Sequence, residues 1–166
     1  MTTRIFLVGF MGAGKTTIGR LLADKLNWSF VDLDAEVERS EGASVAEIFA
    51  SRGEDWFRSA ESECLKVVSA PRRRVVSLGG GTYVNPRNRA LVDSLGLSVY
   101  LEAPLDVLLE RIGRSTHRPL ASDKGRLERL FEERLSAYRM AGATIETAHR
   151  SPGEIVLEIM EVVGGV

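Results

Sequence analysis

At 166 residues with 44% apolar content, the chain suits one compact domain spanning residues 1–166, large enough to bury a core. Its 22 basic and 23 acidic residues are interspersed and sum to a net charge of −1, which argues against a basic nucleic-acid binder or a membrane-surface helix. No apolar run reaches the ~18 residues of a membrane span, Met1-Thr2-Thr3-Arg4 leaves no room for a signal peptide, and the single Cys64 cannot close an internal disulfide, so a cytoplasmic location is expected.

The elements alternate along the chain. Ile5 to Val8 reads as a strand, Thr17 to Leu26 as a helix, Phe30 to Leu33 as a second strand, then helices to about Ala70 and a strand over Val75 to Leu78. A short helix follows Pro86, then a strand over Leu97 to Leu101, and a helix opened by Pro104 that runs to about Ile112. An amphipathic helix from Arg126 to about Ala141, a short strand at Thr144-Ile145 and a last helix opened by Ser151-Pro152 complete the chain. This alternation predicts an α/β fold with a parallel sheet. Ser44 with Glu47, and Ser151 with Glu154, match the capping-box pattern. Arg72-Arg73-Arg74 is the one basic run and reads as a solvated loop.

Gly9-Phe10-Met11-Gly12-Ala13-Gly14-Lys15-Thr16 fits G-x-x-x-x-G-K-[ST] between the first strand and the first helix. Such a loop turns backbone N–H groups toward phosphate oxygens at a helix N-terminus. Lys15 then reaches the β and γ phosphates, and Thr16 offers a hydroxyl to magnesium. The expectation is a site for a nucleoside triphosphate.

Three further groups narrow the chemistry. Asp32 and Asp34 alternate at the end of the second strand, which would put both carboxylates at the carboxyl edge of the sheet, where ligands bind. Asp32 suits magnesium through water, and Asp34 suits a substrate hydroxyl; a solvated strand end with a helix cap is the competing reading. Arg58 and Glu61, three apart, share a helix face, either as a positioned arginine or as an ordinary surface ion pair. Gly79-Gly80-Gly81 before Thr82 lets a ligand approach the backbone closely. The polar stretch at about 113–125, with Arg114, His117, Arg118, Asp123 and Lys124, has little to bury and is the candidate lid. His117 and His149 have no partners at metal-ligand spacing.

Taken together, the phosphate loop, Asp32-Leu33-Asp34, Phe57-Arg58-Ser59-Ala60-Glu61, Gly79-Gly80-Gly81, Arg118-Pro119-Leu120 and Arg134-Leu135-Ser136-Ala137-Tyr138 resemble the shikimate kinase family over nearly the whole chain. The resemblance implies a three-layer α/β/α P-loop fold with a five-stranded parallel sheet ordered 2-3-1-4-5, a mobile lid, and substrate-binding helices at about 34–70. It implies transfer of the γ-phosphoryl of ATP, with Mg2+ as cofactor, to the 3-hydroxyl of shikimate, by a monomer that binds neither nucleic acid nor membrane. Lys15, Asp34 and Arg118 would be catalytic. Gly12, Ala13, Gly14, Lys15, Thr16, Thr17, Arg111, Arg118 and Arg150 would bind the nucleotide. Asp34, Arg58, Gly79, Gly80, Gly81 and Arg134 would bind shikimate, and Thr16 and, through water, Asp32 would hold the metal.

Ala121 stands where the family often has a second leucine, and Thr82-Tyr83 where small apolar residues are usual, so lid packing and substrate affinity are open to change. The competing expectations are another small-metabolite kinase, such as a gluconate or nucleoside monophosphate kinase, and a silent ATP-binding relative. Arg58, the three glycines and Arg134 in one set argue against the first, and the presence of Lys15, Asp34, Arg58, Arg118 and Arg134 argues against the second.

Overall fold

Five parallel strands, β1 (Arg4–Val8), β2 (Ser29–Asp32), β3 (Arg74–Ser77), β4 (Leu97–Glu102) and β5 (Ala143–Glu146), form one sheet in the order β2-β3-β1-β4-β5. In this computed structural model, residues 2–116 and 123–165 are described. Ile5 to Val8 on β1 and Val99 to Leu101 on β4 are buried, because helices cover both faces of the central strands. The edge strands β2 and β5 leave polar residues at the surface. The result is a three-layer α/β/α fold.

Eight helices are described: α1 (Lys15–Leu26), α2 (Leu33–Glu41), α3 (Val45–Arg52), α4 (Glu54–Ser69), α5 (Pro86–Leu95), α6 (Leu105–Thr116), α7 (Lys124–Tyr138) and α8 (Pro152–Gly164). Helix α1 packs on α8 and on β3, while α4 packs on α5 and β3. The main core runs through the sheet and these helices. A second, small cluster of Val37, Ile48 and Phe57 joins α2, α3 and α4 into an arm beside it.

The local signals act as their chemistry predicts. Ser44 and Ser151 form complete capping boxes with Glu47 and Glu154, and Asn85 caps α5 ahead of Pro86. Of the basic run, Arg74 opens β3 and its guanidinium donates to Val68 O and Ser29 Oγ. Helix α6 continues through Gly113 to Thr116, so the stretch expected as a lid begins inside a helix, and α7 starts within it at Lys124. His117 to Ser122, Arg118 among them, lie outside the described residues.

Candidate active site

The phosphate loop joins β1 to α1. Gly12 and Gly14 take φ values of 80° and 92°, a region that side-chain-bearing residues rarely enter. Gly14 caps α1 with no side-chain bond, leaving the first-turn N–H groups of α1 for an anion. Lys15 Nζ donates to the carbonyls of Gly9 at 2.7 Å and Phe10 at 3.0 Å, across the loop mouth. Burial lowers its pKa to about 8 although Asp34 and Asp32 pull it back up. Thr16 Oγ1 donates to Asp32 Oδ2 at 2.8 Å.

Strand β2 ends at Asp32, and this corrects the placement of Asp34. Asp32 is the N-cap of α2, its Oδ1 accepting from Ala35 N at 3.3 Å, so Asp34 sits in the first helical turn and not on a strand face. Asp32 therefore acts as the cap expected of one reading through Oδ1, and its Oδ2 accepts from Thr16. Asp34 nevertheless reaches the carboxyl edge of the sheet. Its pKa is raised to about 6, mainly by burial and then by Glu61 and Asp32, with Lys15 and Arg58 opposing.

Beside the loop lies a cavity of about 900 Å³ lined by Asp34, Arg58, Glu61, Gly79 to Gly81 and Arg134, among others. Arg58 Nη1 donates to Glu61 Oε2 at 2.9 Å, and Glu61 is only 1% exposed, which rules out an ordinary surface pair. Across the cavity, α7 supplies Arg134, and Tyr138 from the same helix donates to Gly80 O at 2.6 Å. At two of the glycines the missing β-carbon leaves room for a guanidinium in the position seen here. A β-carbon at Gly81 would lie 2.6 Å from both terminal nitrogens of Arg58, and one at Gly80 would lie 2.7 Å from Nη1 of Arg134. Phe49 and Phe57, with ring centroids 4.9 Å apart, form an apolar wall.

A second cavity, of about 240 Å³, opens on the other side of the loop and is lined by Ala13, Gly14, Thr17, Arg111, Thr147 and Arg150 together with residues of α1 and α8. Arg111 donates to Thr147 O at 3.1 Å, to Thr147 Oγ1 at 3.3 Å and to Gly12 O at 3.4 Å. Arg150 donates to Glu146 O at 2.9 Å and pairs with Glu158. Both arginines are thus held in place in the lining of this recess.

A family model described as shikimate kinase matches residues 11–164. The chain belongs to the shikimate kinase family. A curated shikimate kinase of Sulfurihydrogenibium sp. (strain YO3AOP1) is 40% identical over 157 residues, covering 94% of this chain and 95% of that protein. Among solved structures, the shikimate kinase of Acinetobacter baumannii in complex with shikimate superposes with a TM-score of 0.92 at 36% identity, covering 99% of this chain and 94% of that one. The enzyme from Aquifex aeolicus gives 0.88 at 39% identity, covering 98% and 96%. Membership makes the chain a kinase and sets aside the gluconate kinase reading.

Within the shikimate kinase frame, the structure gathers Lys15, Thr16, Asp32, Asp34, Gly79, Gly80 and Arg134 around one cavity of about 580 Å³ that also includes Arg111. Arg58 and Gly81 lie next door in the larger cavity, and Arg150 in the smaller recess of about 240 Å³. The sequence marked Thr82 only as a departure after the glycine run and Tyr138 only as part of the family motif, with no role for either, and it did not single out Phe49 or Thr147. Tyr138 carried a signal, standing four residues after Arg134 and so on the same helix face. Thr147 carried none, because only the turn after β5 brings it to Arg111.

Proposed function

We propose that this chain transfers the γ-phosphoryl of ATP to the 3-hydroxyl of shikimate, giving ADP and shikimate 3-phosphate. The observation that carries the reading is the junction of two cavities. The phosphate-loop cavity and the acceptor cavity share Met11, Asp34, Gly79, Gly80 and Arg134, so a donor phosphate and an acceptor hydroxyl would meet beside Asp34. Arg58 and Arg134 reach this acceptor cavity from α4 and α7, a geometry suited to a carboxylate held between two guanidinium forks.

The residue roles follow from charge and position. Arg58 and Arg134 would fix the shikimate carboxylate, and the backbone of Gly79 to Gly81 would lie against its ring. Asp34 would accept the proton of the 3-hydroxyl as its oxygen bonds to the γ-phosphorus and the bond from that phosphorus to the β,γ-bridging oxygen breaks. A loose transition state asks for positioning and charge neutralisation more than for a strong base. Lys15 would neutralise charge on the transferring group and on the leaving ADP. Arg111 and Arg150 would border the adenine.

A hydroxyl and a carboxylate 2.8 Å apart at the phosphate cavity suit a hard cation. Thr16 would hold magnesium directly and Asp32 through water, and the ion would offset phosphate charge. Among the described residues no cluster of three or more His, Cys, Asp or Glu side chains could hold a metal, so phosphate oxygens and water would complete the shell. Arg118, by its place in the family motif, would close over the transferring phosphoryl from the 113–125 segment. One chain supplies all three cavities, which supports a monomer as the working unit, and the free Cys64 fits a reducing cytoplasm.

ADP release from ATP and magnesium, measured with shikimate and with gluconate and quinate as controls, tests the reading. Stimulation by shikimate alone is expected. Equal release with all three, or with none, would overturn it.

A further inference from the structure

Among family features, the residue after the glycine run departs from the expected small apolar side chain: it is Thr82, fully buried. Its backbone is fixed on both sides. Thr82 N donates to Gly79 O at 3.1 Å, closing the turn, and Asn88 Nδ2 donates to Thr82 O at 3.2 Å. The side chain that this turn presents donates its hydroxyl to Glu61 Oε1 at 2.6 Å.

The other oxygen of Glu61 accepts from Arg58. Glu61 is thus a buried carboxylate with one donor on each oxygen, and the two donors come from different elements, the glycine turn and α4. The space around it is tight: a β-carbon at Gly79 would lie 2.7 Å from Asp34 Oδ1, 2.9 Å from Glu61 Oε1 and 3.0 Å from Thr82 Oγ1. A carboxylate in such a place is sensitive to the loss of either donor, because a buried charge without a hydrogen bond carries its full desolvation cost. Without the hydroxyl, Glu61 would have to turn or draw in water, and Arg58 would lose its fixed bearing.

We propose that Thr82 is a positioning residue for the acceptor site: its hydroxyl fixes Oε1 of Glu61, which leaves Oε2 to hold the Arg58 guanidinium toward the acceptor carboxylate. The proposal rests on the reading of Arg58 as a carboxylate clamp. Thr82 itself need not touch shikimate. Its effect is transmitted through Glu61 to Arg58, and so it should fall on shikimate and spare ATP, whose loop lies on the other side of Asp34.

The test is Thr82→Val, which keeps the shape and removes the donor, with Thr82→Ser as the variant that restores it. Losing a hydrogen bond to a buried charge should raise the shikimate KM about tenfold or more, with the ATP KM changed less than about twofold. Thr82→Ser should return the shikimate KM to within about threefold of the unaltered chain. In an Arg58→Ala background, Thr82→Val should add less than about twofold, because the group it acts through is gone. An unchanged shikimate KM in Thr82→Val, a parallel rise in both KM values, or the same factor with and without Arg58 would each overturn the proposal. If Thr82→Val does not fold, shikimate and ATP binding to Thr82→Ala, compared with Thr82→Ser, give the same discrimination. Unaltered protein that shikimate does not stimulate refutes the functional reading instead, so the two failures are told apart.

Discussion

The nucleotide half and the acceptor half of the site are built in different ways. The phosphate-binding segment is one contiguous stretch, Gly9 to Thr17, running from the end of the buried strand β1 into the first turn of helix α1 and backed by the main core. The acceptor cavity draws Asp34 from α2, Arg58 and Glu61 from α4, three glycines and Thr82 from the turn after β3, and Arg134 and Tyr138 from α7. Its arm of α2, α3 and α4 has its own small Val37, Ile48 and Phe57 cluster, while Leu33, Leu65 and Val68 tie α2 and α4 to the main core. A contiguous loop on a large core can form its site locally. A cavity of dispersed side chains depends on every packing contact that aligns them, which suits it to change specificity while the nucleotide site stays fixed.

If this division is right, damage should separate by half. The largest effect belongs to Lys15→Ala, expected to cut kcat by roughly 10²–10³-fold with both substrates saturating, since it removes charge neutralisation that grows in the transition state. Steady-state kinetics would check it, and a change confined to the ATP KM would break the assignment. Next come Arg58→Ala and Arg134→Ala, each expected to raise the shikimate KM by about 10–100-fold with little change for ATP. Titration of shikimate at fixed ATP measures this, and a matching loss of ATP affinity would blur the two halves into one.

Asp34 sharpens the boundary between them. With its pKa raised to about 6, kcat/KM should climb as pH rises through about 6, and Lys15, lowered to about 8, should limit activity on the alkaline side in the free enzyme. The stability consequence has a definite sign. The folded carboxyl holds its proton to higher pH than the unfolded one at 3.8, so its ionisation costs stability, fully above about pH 6 and not at all below the unfolded value. Asp34→Asn should therefore be more stable than the unaltered chain at pH 8, by on the order of 3 kcal/mol, and the gap should close toward pH 4. Melting curves across that range decide it; a gap independent of pH would mean that the burial cost is not electrostatic. The smallest effect is Ser44→Ala, which breaks the capping box of α3 and should cost about 1 kcal/mol. Denaturant unfolding would show the loss, and an unchanged ATP KM would keep it within the acceptor arm.

What the residues alone determined is whatever a few neighbours fix among themselves. The phosphate loop needs glycines at positive φ followed by a lysine and a hydroxyl, the capping boxes need two residues three apart, and Arg58 with Glu61 needs one helical turn, so all were legible in the chain. The alternation of short apolar runs and helical stretches disclosed the α/β class, because central strands covered on both faces are mostly apolar, with Ser77 and Ser98 the buried polar exceptions on β3 and β4. The end of β2 was misplaced, since Asp32 stops the strand by capping α2 and apolar patterning does not register a cap that doubles as a ligand. The length of α6 was underestimated for a related reason, as polar residues at a helix end look like loop. Only the tertiary structure decided that Thr82 completes Glu61 from 21 residues away and that Tyr138 reaches a carbonyl 58 residues back. Such contacts depend on where parallel strands set their neighbouring turns and helices, and that placement comes from packing between elements distant in sequence rather than from the local conformational preferences that a short window of residues expresses.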